Sequence, residues 1–381
     1  MIRILELFGG IGACSKALER LGIDYEIADY VEIDKYAVKS FNTIHNTNFE
    51  PQDICEWNKD MEVDLIMHGS PCQDFSLAGK QAGGDKDSGT RSSLMYETIR
   101  IVNKLKPKYV IWENVKNLLS GKHKHNFDAY IEEMMKGGYT SYYQVLNAKD
   151  YGIPQNRERV FTISIRNDID KGYVFPQKQE LKLRLKDMLE DNVDDNYYLS
   201  DDKIQMISNW NCYEKPFKKV YGKNSVLGTL TTRSGAECGG LKVYSNKLND
   251  TTDLQEQCLK IKNATKKGYQ EAFEGDSVNL AYPNSKTRRG RVGNQVSQTL
   301  QCNDSMGVVS NLKIRKLTPK ECWRLMGFDD EDYEKSSKVN SNAQLYKQAG
   351  NSIVVDVLYY ILKELFWQKV GKKWEKLYDI L

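Results

Sequence analysis

Reactive side chains of three kinds border apolar segments that are typical of buried strands. Cys72 lies in a Gly-Ser-Pro-Cys-Gln segment directly after one apolar stretch, Glu113 follows a second, and Arg157 and Arg159 precede a third. A thiolate on a rigid loop can act as a nucleophile, a carboxyl group can give a proton, and a guanidinium group can stabilise developing negative charge. These residue types allow covalent catalysis, although each alone is also common as a loop cysteine, a helix-capping carboxylate or a solvated charged turn.

A second group of residues is typical of a site for a nucleoside-containing cofactor. Gly10 and Gly12 follow the first apolar segment and precede a helical pattern, so the backbone there can approach a ligand closely. The dinucleotide fingerprint is incomplete, because Ser15 stands where its third glycine is expected. Glu32 ends the second apolar segment, where a carboxylate commonly binds ribose hydroxyls. Asp53, which we expect to follow a third strand, could hold an adenine amino group; ordinary strand–helix packing is the alternative explanation.

The elements that must position these residues alternate between strand and helix patterns. This alternation predicts an α/β fold, a doubly wound and mostly parallel sheet with helices on both faces. The carboxyl ends of parallel strands share one sheet edge, so Cys72 and Glu113 should lie close together. Strands are predicted at 2–7, 25–31, 64–68, 109–112, 141–146 and 160–165, and helices at 14–21, 35–43, 95–105 and 128–136.

The second half of the chain has short, mixed segments, which indicate a smaller domain made mainly of strands and loops. We therefore predict a catalytic and cofactor-binding domain at 1–172, completed by a C-terminal helical region at about 335–381. The smaller domain is predicted at 173–334. Within it, a capping box at 318–321 predicts the start of a helix that ends at Gly327.

Composition narrows the class of protein. The chain has 381 residues, of which 40% are hydrophobic and 28% charged, as is typical of globular proteins. Because the net charge is only +3, an argument for a nucleic-acid partner depends on local clusters. The eight cysteines include no C-x-x-C pair, so we expect no metal site. Without an apolar run of about 20 residues or a signal-peptide pattern, we expect no membrane segment and a cytoplasmic location.

In order along the chain, several segments resemble motifs of the C5-cytosine-specific DNA methyltransferase family of bacteria and phages. The stretch from about 175 to 313 contains none of them and stands where this family keeps its variable target-recognition region. The resemblance implies the fold of S-adenosylmethionine-dependent methyltransferases, with S-adenosyl-L-methionine as cofactor. The similar segments are Phe-Gly-Gly-Ile-Gly at 8–12, with Gly9 where alanine is usual, Pro-Cys-Gln at 71–73, Glu-Asn-Val at 113–115, Gln-Asn-Arg-Glu-Arg at 155–159, the segment 315–328, and Gln-Ala-Gly-Asn-Ser-Ile at 348–353.

The resemblance also implies a reaction that these residue types suit. Carbon 5 of cytosine is a poor nucleophile, and addition of Cys72 at carbon 6 would make it reactive. Glu113 at N3 and Arg159 at O2, with Arg157 as a further catalytic residue, would stabilise the added charge. Because the target carbon is out of reach inside a duplex, the cytosine must be flipped out of double-stranded DNA.

The same resemblance assigns binding residues. The candidates for cofactor binding are Phe8, Gly9, Gly10, Gly12, Glu32, Ile33, Asp53, Ile54, Pro71, Leu94, Asn351 and Ser352. The candidates for DNA contact are Ser76, Arg91, Arg233, Arg288, Arg289, Thr299 and Leu300, where Arg288 and Arg289 belong to a basic group with Lys286 and Arg291. The Thr-Leu pair at 299–300 stands where the family's recognition-domain pair stands, and Thr229-Leu230 is its rival.

Other functions are compatible with the same residues. A related enzyme that methylates transfer RNA would use the same catalytic set, but the long variable region favours readout of duplex DNA. The presence of every catalytic residue type disfavours a catalytically silent DNA-binding or restriction-partner protein. The incomplete glycine fingerprint disfavours a dinucleotide-dependent dehydrogenase. We expect a monomer that can be paired with a restriction endonuclease in the same cell.

Overall fold

The computed structural model describes residues 1–71, 94–200, 202–204, 258–310, 313–370 and 373–376. The strands of its first half are β1 (Ile2–Leu7), β2 (Tyr25–Val31), β3 (Leu65–His68), β4 (Tyr109–Val115), β5 (Tyr139–Asn147), β6 (Gln155–Asn156) and β7 (Glu158–Arg166). Its largest sheet has the order β2-β1-β3-β4-β7-β5. Strands β1 to β4 pair in parallel, and β7 is antiparallel to both of its neighbours.

Helices cover both faces of this sheet. Their bounds are α1 (Ala13–Arg20), α2 (Lys35–His45), α3 (Met95–Leu105), α4 (Lys124–Lys136), α5 (Pro319–Arg324), α6 (Asp330–Ser337), α7 (Asn342–Asn351) and α8 (Val355–Phe366). Ile4 on β1 packs in one core with α1 and α8, whereas the next residue, Leu5, packs in the other core with α3 and α4. This alternation follows from the two-residue period of a strand. The predicted mostly parallel sheet with helices on both faces is therefore confirmed.

The second part of the chain forms a smaller unit of strands and loops, as predicted. Its strands are β8 (Leu259–Lys262), β9 (Tyr269–Ala272), β10 (Ser277–Asn279), β11 (Val292–Gly293), β12 (Ser297–Gln298), β13 (Met306–Ser310) and β14 (Lys313–Lys316), and a last hairpin joins β15 (Trp367–Val370) and β16 (Lys373–Lys376). An antiparallel sheet has the order β11-β10-β13-β14, while β12 pairs with β6 of the first half. A small core that includes Leu259, Val278 and Val309 stabilises this unit.

Helix α5 begins at the predicted capping box. The Thr318 hydroxyl accepts a hydrogen bond from the Glu321 backbone N–H, and the Glu321 carboxylate accepts one from the Thr318 N–H at 2.8 Å. Arg315 donates to the same carboxylate at 2.7 and 2.8 Å, and both side chains are buried. The helix ends at Arg324, and the turn that follows it reaches Gly327, whose φ of 81° suits glycine.

The proposed domain boundaries remain a prediction, and the packing of α5 and α6 bears on them. Trp323 of α5 lies in the core shared with α1 and α8. The Lys16 amine of α1 contacts Asp329 at 3.0 Å and Asp332 of α6 at 3.1 Å. These contacts favour grouping α5 and α6 with the large sheet rather than with the smaller domain.

Two local expectations differ from the structure. Glu113 was expected after its strand but lies within β4, because β7 pairs with β4 along its whole length, up to the Val115–Arg159 pair. Asp53 does not follow a strand; it lies in the irregular segment between α2 and β3. The Gln52 N–H donates to the Glu32 carbonyl at 2.9 Å, and this bond rather than a strand ladder holds the segment at the sheet edge.

Glu6 of β1 is a buried carboxyl group beneath the first helix. It accepts hydrogen bonds from the Ser15 backbone N–H, at 3.1 Å, and from the Ser15 hydroxyl. Burial raises the pKa of Glu6 from 4.5 to about 7, against the lowering effect of the bonds from Ser15. The folded protein therefore binds this proton more tightly than the unfolded chain does, and the contribution of Glu6 to stability is lost as pH rises from about 4.5 to about 7.

We expect Glu6→Gln to stabilise the protein at pH 8, by on the order of 3 kcal/mol, and to have little effect at pH 4.5. The neutral amide keeps the shape and an acceptor for Ser15 without the cost of a buried charge. Denaturant unfolding at the two pH values measures the difference. Glu26→Gln, on the exposed side of β2, is the matched control and should show no such pH dependence. An equal effect of Glu6→Gln at both pH values would contradict the expectation.

Candidate active site

The loop that leads to Cys72 is anchored by the neighbouring strand. Its first residues follow β3, and Ser70 is buried. The Trp112 indole N–H donates to the Ser70 hydroxyl at 3.0 Å, and the Asn114 amide donates to the Ser70 carbonyl at 3.4 Å. Strand β4 thus fixes the backbone just before the half-buried Pro71. Cys72 itself, with Ser76 and Arg91, lies outside the described residues.

Glu113 and Arg159 meet at the start of this loop. The Arg159 Nε lies 2.9 Å from the Glu113 Oε1, and both side chains are largely buried. A methyl group added at Gly69 would lie 3.8 Å from the Glu113 Oε2 and 3.6 Å from Ile353. The structure therefore brings a carboxylate and a guanidinium together where the Cys72 loop leaves the sheet.

Arg157 makes different contacts. Its Nη2 donates to the Gly350 carbonyl at 3.2 Å and to the Ser352 carbonyl at 2.7 Å, and the side chain is buried. It thereby supports the turn that carries Asn351 and Ser352. Both residues are cofactor candidates, and their turn leads to Ile353 beside Gly69. These contacts favour a positioning role for Arg157 over the catalytic role that the sequence suggested.

The glycine loop after β1 has left-handed backbone at Phe8, Gly10 and Gly12, with φ of 53°, 55° and 82°. A side chain at Gly9 would meet the Tyr30 ring at 2.8 Å. Tyr30 therefore accounts for glycine where the family usually has alanine. At Gly10, a side chain would meet nothing within 4 Å, so this backbone borders open space that a ligand can enter.

Glu32 follows β2 and faces the same loop. Its carboxylate accepts hydrogen bonds from the Gly10 N–H at 3.2 Å and from the Asp34 N–H at 2.9 Å. Burial raises the pKa of Glu32 above its ordinary value, and the backbone bonds partly offset this. Beside it, the Ile33 side chain is 68% exposed.

The remaining cofactor candidates differ in exposure. Asp53 is exposed, and its carboxylate accepts a hydrogen bond from the Cys55 N–H at 2.9 Å. Ile54 is buried and Leu94 is half-buried at the start of α3. Asn351 accepts a hydrogen bond from the Cys302 thiol at 2.8 Å, a contact that the sequence gave no reason to expect.

A cleft of about 700 Å³ separates the large sheet from the smaller unit. Thr299 borders it, and the Thr299 hydroxyl donates to the Asn156 carbonyl at 2.8 Å. The cleft presents cationic and polar groups from both units, together with one acidic residue, Glu158, whose carboxylate lies 3.0 Å from the Lys116 amine. An excess of cationic groups is the surface expected of a nucleic-acid site. Its lining includes Lys116, Asn117, Asn156, Arg288, Arg289 and Thr299. Lys116 was missed by sequence reasoning, although it directly follows the Glu-Asn-Val segment.

Two residues predicted near DNA are held inside the protein. The Leu300 side chain is buried in the main core, and its N–H donates to the Gln155 side chain at 3.1 Å. Gln155 in turn donates to the Leu325 carbonyl at 2.7 Å. Arg291 of the basic group is also buried. Thr299 and Arg289 therefore remain the better candidates for DNA contact, with the half-buried Arg288 beside them. Arg233 and the rival Thr-Leu pair at 229–230 lie outside the described residues.

Two negative findings concern the part of the chain that the structure describes. No group of three or more His, Cys, Asp or Glu residues there has the arrangement of a metal site. None of the helices in the same ranges has the length and apolar character needed to cross a bilayer.

Comparisons with a family model, with related sequences and with solved structures all identify DNA methyltransferases. The family model for "C-5 cytosine-specific DNA methylase" matches residues 2–367. The orphan methyltransferase M.SPRI of Bacillus phage SPR is 32% identical, over 98% of this chain and 99% of the phage protein. The type II methyltransferase M2.ScrFI of Lactococcus lactis subsp. cremoris is also 32% identical, over 96% and 99%. A putative DNA modification methyltransferase encoded within an E. coli prophage has a similar fold, with a TM-score of 0.59, 22% identity and coverage of 96% and 99%.

Proposed function

Because the chain belongs to the C-5 cytosine-specific DNA methylase family, we propose that it transfers a methyl group from S-adenosylmethionine to carbon 5 of cytosine in a specific sequence of double-stranded DNA. The observation that carries the proposal is the Glu113–Arg159 contact beside Gly69. It supplies an acid and a cation at the point where the loop of the proposed nucleophile begins.

The residues have complementary roles in this reaction. The Cys72 thiolate forms a bond to carbon 6, which pushes electron density toward N3, O2 and carbon 5. Glu113 donates a hydrogen bond or proton at N3, and Arg159 stabilises negative charge at O2. After carbon 5 has taken the methyl group, loss of its proton to a base restores the double bond and expels Cys72. The bond between the Cys72 sulfur and carbon 6 is thus formed and broken within one cycle, and the Cys72 thiolate is regenerated.

The glycine loop and its neighbours fit an adenosine-containing cofactor. The backbone at Gly10 borders open space, and the Glu32 carboxylate beside it can accept hydrogen bonds from ribose hydroxyls. The exposed Ile33 offers an apolar surface to a base, and the 2.9 Å bond from the Gln52 N–H to the Glu32 carbonyl brings the segment of Asp53 and Ile54 to the same strand end. When bound, S-adenosylmethionine supplies a methyl group on a positively charged sulfur.

We expect Glu32→Ala to weaken S-adenosylmethionine binding at least about tenfold, because charge-assisted hydrogen bonds to the ribose are lost. Isothermal calorimetry with the purified protein measures the dissociation constant. Glu26→Ala, which removes an exposed carboxylate from the same strand, should leave it unchanged. Binding of the cofactor by Glu32→Ala with wild-type affinity would refute the assignment.

The cleft is the proposed site for duplex DNA. A base must leave the duplex before Cys72 can reach it. The cleft lies between the sheet that carries Glu113 and the unit that carries Arg289 and Thr299. We propose that the region from about 175 to 313 selects the target, while the remainder carries out the reaction. The relative M2.ScrFI is named a type II methyltransferase, which supports a restriction endonuclease as a functional counterpart.

We expect Arg289→Ala to weaken binding to all duplex sequences alike and to reduce the slope of log affinity against log salt concentration by about one. Arg289 is exposed and lines the cleft, so its charge can neutralise a phosphate. Fluorescence anisotropy at several salt concentrations gives the slope. Lys39→Ala, on the exposed side of α2, removes the same charge away from the cleft. An equal loss in both variants would point to net charge rather than to a contact.

The function is tested directly by incubating the protein with labelled S-adenosylmethionine and either duplex DNA or transfer RNA. We expect label in DNA and none in transfer RNA, and bisulfite sequencing should show modified cytosines at one short sequence. Labelling of transfer RNA alone would replace the proposal by the RNA-modifying alternative. No labelling of either by protein that binds the cofactor and DNA would support the catalytically silent alternative.

A further inference from the structure

The loop between β10 and β11 is built around one buried arginine. The Arg291 guanidinium donates to the carbonyls of Asn279, at 3.1 Å, and Ala281, at 3.0 Å. It also donates to the carbonyls of Tyr282, at 2.6 Å, and Pro283, at 3.4 Å. Arg291 is 1% exposed, and burying a cation is unfavourable unless such acceptors compensate it. The loop backbone is therefore held in a single shape by a charged group within it.

Tyr282 stands at the tip of this loop. Its side chain is 71% exposed, although an aromatic ring gains free energy from burial. Its φ is 51°, a left-handed conformation that costs free energy for tyrosine and almost none for glycine. A position that served only to turn the chain would favour glycine or asparagine. The strain and the exposure together indicate that the ring has a use outside the folded chain.

The surroundings of Tyr282 indicate what it meets. The Arg288 guanidinium lies 5.7 Å from the centre of the Tyr282 ring, and its Nη1 donates to the Asn279 side chain at 2.9 Å. Arg288, Asn279 and the exposed Arg289 all line the cleft. A rigid aromatic ring flanked by cations suits a nucleic acid, since the cations can neutralise phosphates while the ring stacks on a base.

We propose that Tyr282 contacts the DNA substrate by stacking its ring on a base that becomes unstacked when the cytosine leaves the duplex bound in the cleft. The proposal rests on the proposed function, because the duplex is the substrate assigned there. It adds a residue that reads or holds bases, as distinct from the phosphate contacts expected of Arg289.

The test compares Tyr282→Gly, Tyr282→Ala and Tyr282→Phe. Glycine relieves the backbone strain and removes the ring, so it separates a structural role from a binding role. The probe is a fluorescein-labelled duplex that carries a cytosine shown by bisulfite sequencing to be methylated by the wild-type protein. Affinity is measured by anisotropy at several salt concentrations, with thermal unfolding and cofactor affinity as controls for folding.

We expect Tyr282→Gly and Tyr282→Ala to bind this duplex about 10- to 100-fold more weakly, and Tyr282→Phe to bind it nearly as the wild type does. Because stacking involves no charge, the salt dependence should stay the same in all three, unlike that of Arg289→Ala. Thermal stability should be unchanged or higher in Tyr282→Gly.

Three results would overturn the inference. Wild-type affinity of the glycine and alanine variants would show that the ring makes no contact, while the proposed function would stand as long as the wild type methylates DNA. A loss in Tyr282→Phe equal to that in Tyr282→Ala would assign the contact to the hydroxyl group and exclude stacking. If the wild-type protein methylates no DNA, the proposed function fails first, and the inference fails with it.

Discussion

Replacement of Cys72 by serine should abolish methyl transfer to DNA and leave S-adenosylmethionine affinity unchanged. A serine hydroxyl is almost fully protonated at neutral pH and is a far weaker nucleophile than a thiolate, so the rate should fall by on the order of 10⁴-fold or more. Transfer of labelled methyl groups to duplex DNA measures the rate, and calorimetry measures the cofactor affinity. The variant should also lose covalent trapping on DNA that contains 5-fluorocytosine, because the fluorine at carbon 5 cannot leave as a proton does.

Cys258→Ser is the matched control for this experiment. Cys258 is a partly buried free cysteine just before β8 of the smaller unit, outside the segments that resemble the family's motifs, and its replacement should leave both methyl transfer and trapping intact. Full turnover by Cys72→Ser would exclude the covalent mechanism. Trapping that persists in Cys72→Ser and disappears in another cysteine variant would place the nucleophile elsewhere.

Replacement of Glu113 by glutamine should lower the rate of methyl transfer by about 10²- to 10⁴-fold, the range for loss of a positioned acid. Glutamine has nearly the same shape as glutamate, so the affinities for cofactor and DNA should change little. Single-turnover kinetics with saturating DNA isolates the chemical step. The defect should therefore appear in kcat rather than in KM.

Glu133→Gln provides the comparison, because Glu133 is an acid paired with a cation, Lys136, on the surface of α4. Its loss should not affect turnover. If Glu113→Gln instead weakened DNA binding and left the chemical step intact, Glu113 would be a binding residue rather than an acid. If Glu113→Gln lowered the thermal stability enough for unfolding to account for the lost turnover, the contact between Glu113 and Arg159 would be mainly structural.

The sequence predicted the sheet and its helices closely, since their signals are local. The bounds of β1, β2 and α3 agree with the prediction to the residue, because apolar runs and helical periodicity depend on neighbours in the chain. Glu113 was misplaced relative to its strand for the opposite reason. The end of β4 is determined by its pairing with β7, which starts some forty residues later, and only that partner extends the strand to Val115.

For the candidate site, the sequence identified the residue types but not which of them are buried. The family resemblance assigned Glu113 and Arg159 to neighbouring atoms of one base, and the two side chains are in contact in the structure, although the sequence did not predict that β7 lies beside β4. Arg157, Arg291 and Leu300 looked like surface residues in a polar, irregular sequence, yet all three are buried. Their burial depends on backbone carbonyls and core residues from distant segments, which no local pattern reveals. Tyr282 gave no sequence signal, because its significance lies in its backbone conformation and exposure.

The packing of α8 on α1 has a consequence for the order of folding. The side chains of β1 and α1 that face α8, among them Ile4 and Leu18, belong to a core that also needs Leu358 and Ile361. During synthesis these early residues emerge long before their partners, so one face of the central sheet stays uncovered until residues 355–366 have left the ribosome. Such long-range closure slows folding and exposes apolar surface meanwhile. A nascent chain should therefore be most dependent on chaperones, and unable to assemble its catalytic edge, until helix α8 docks.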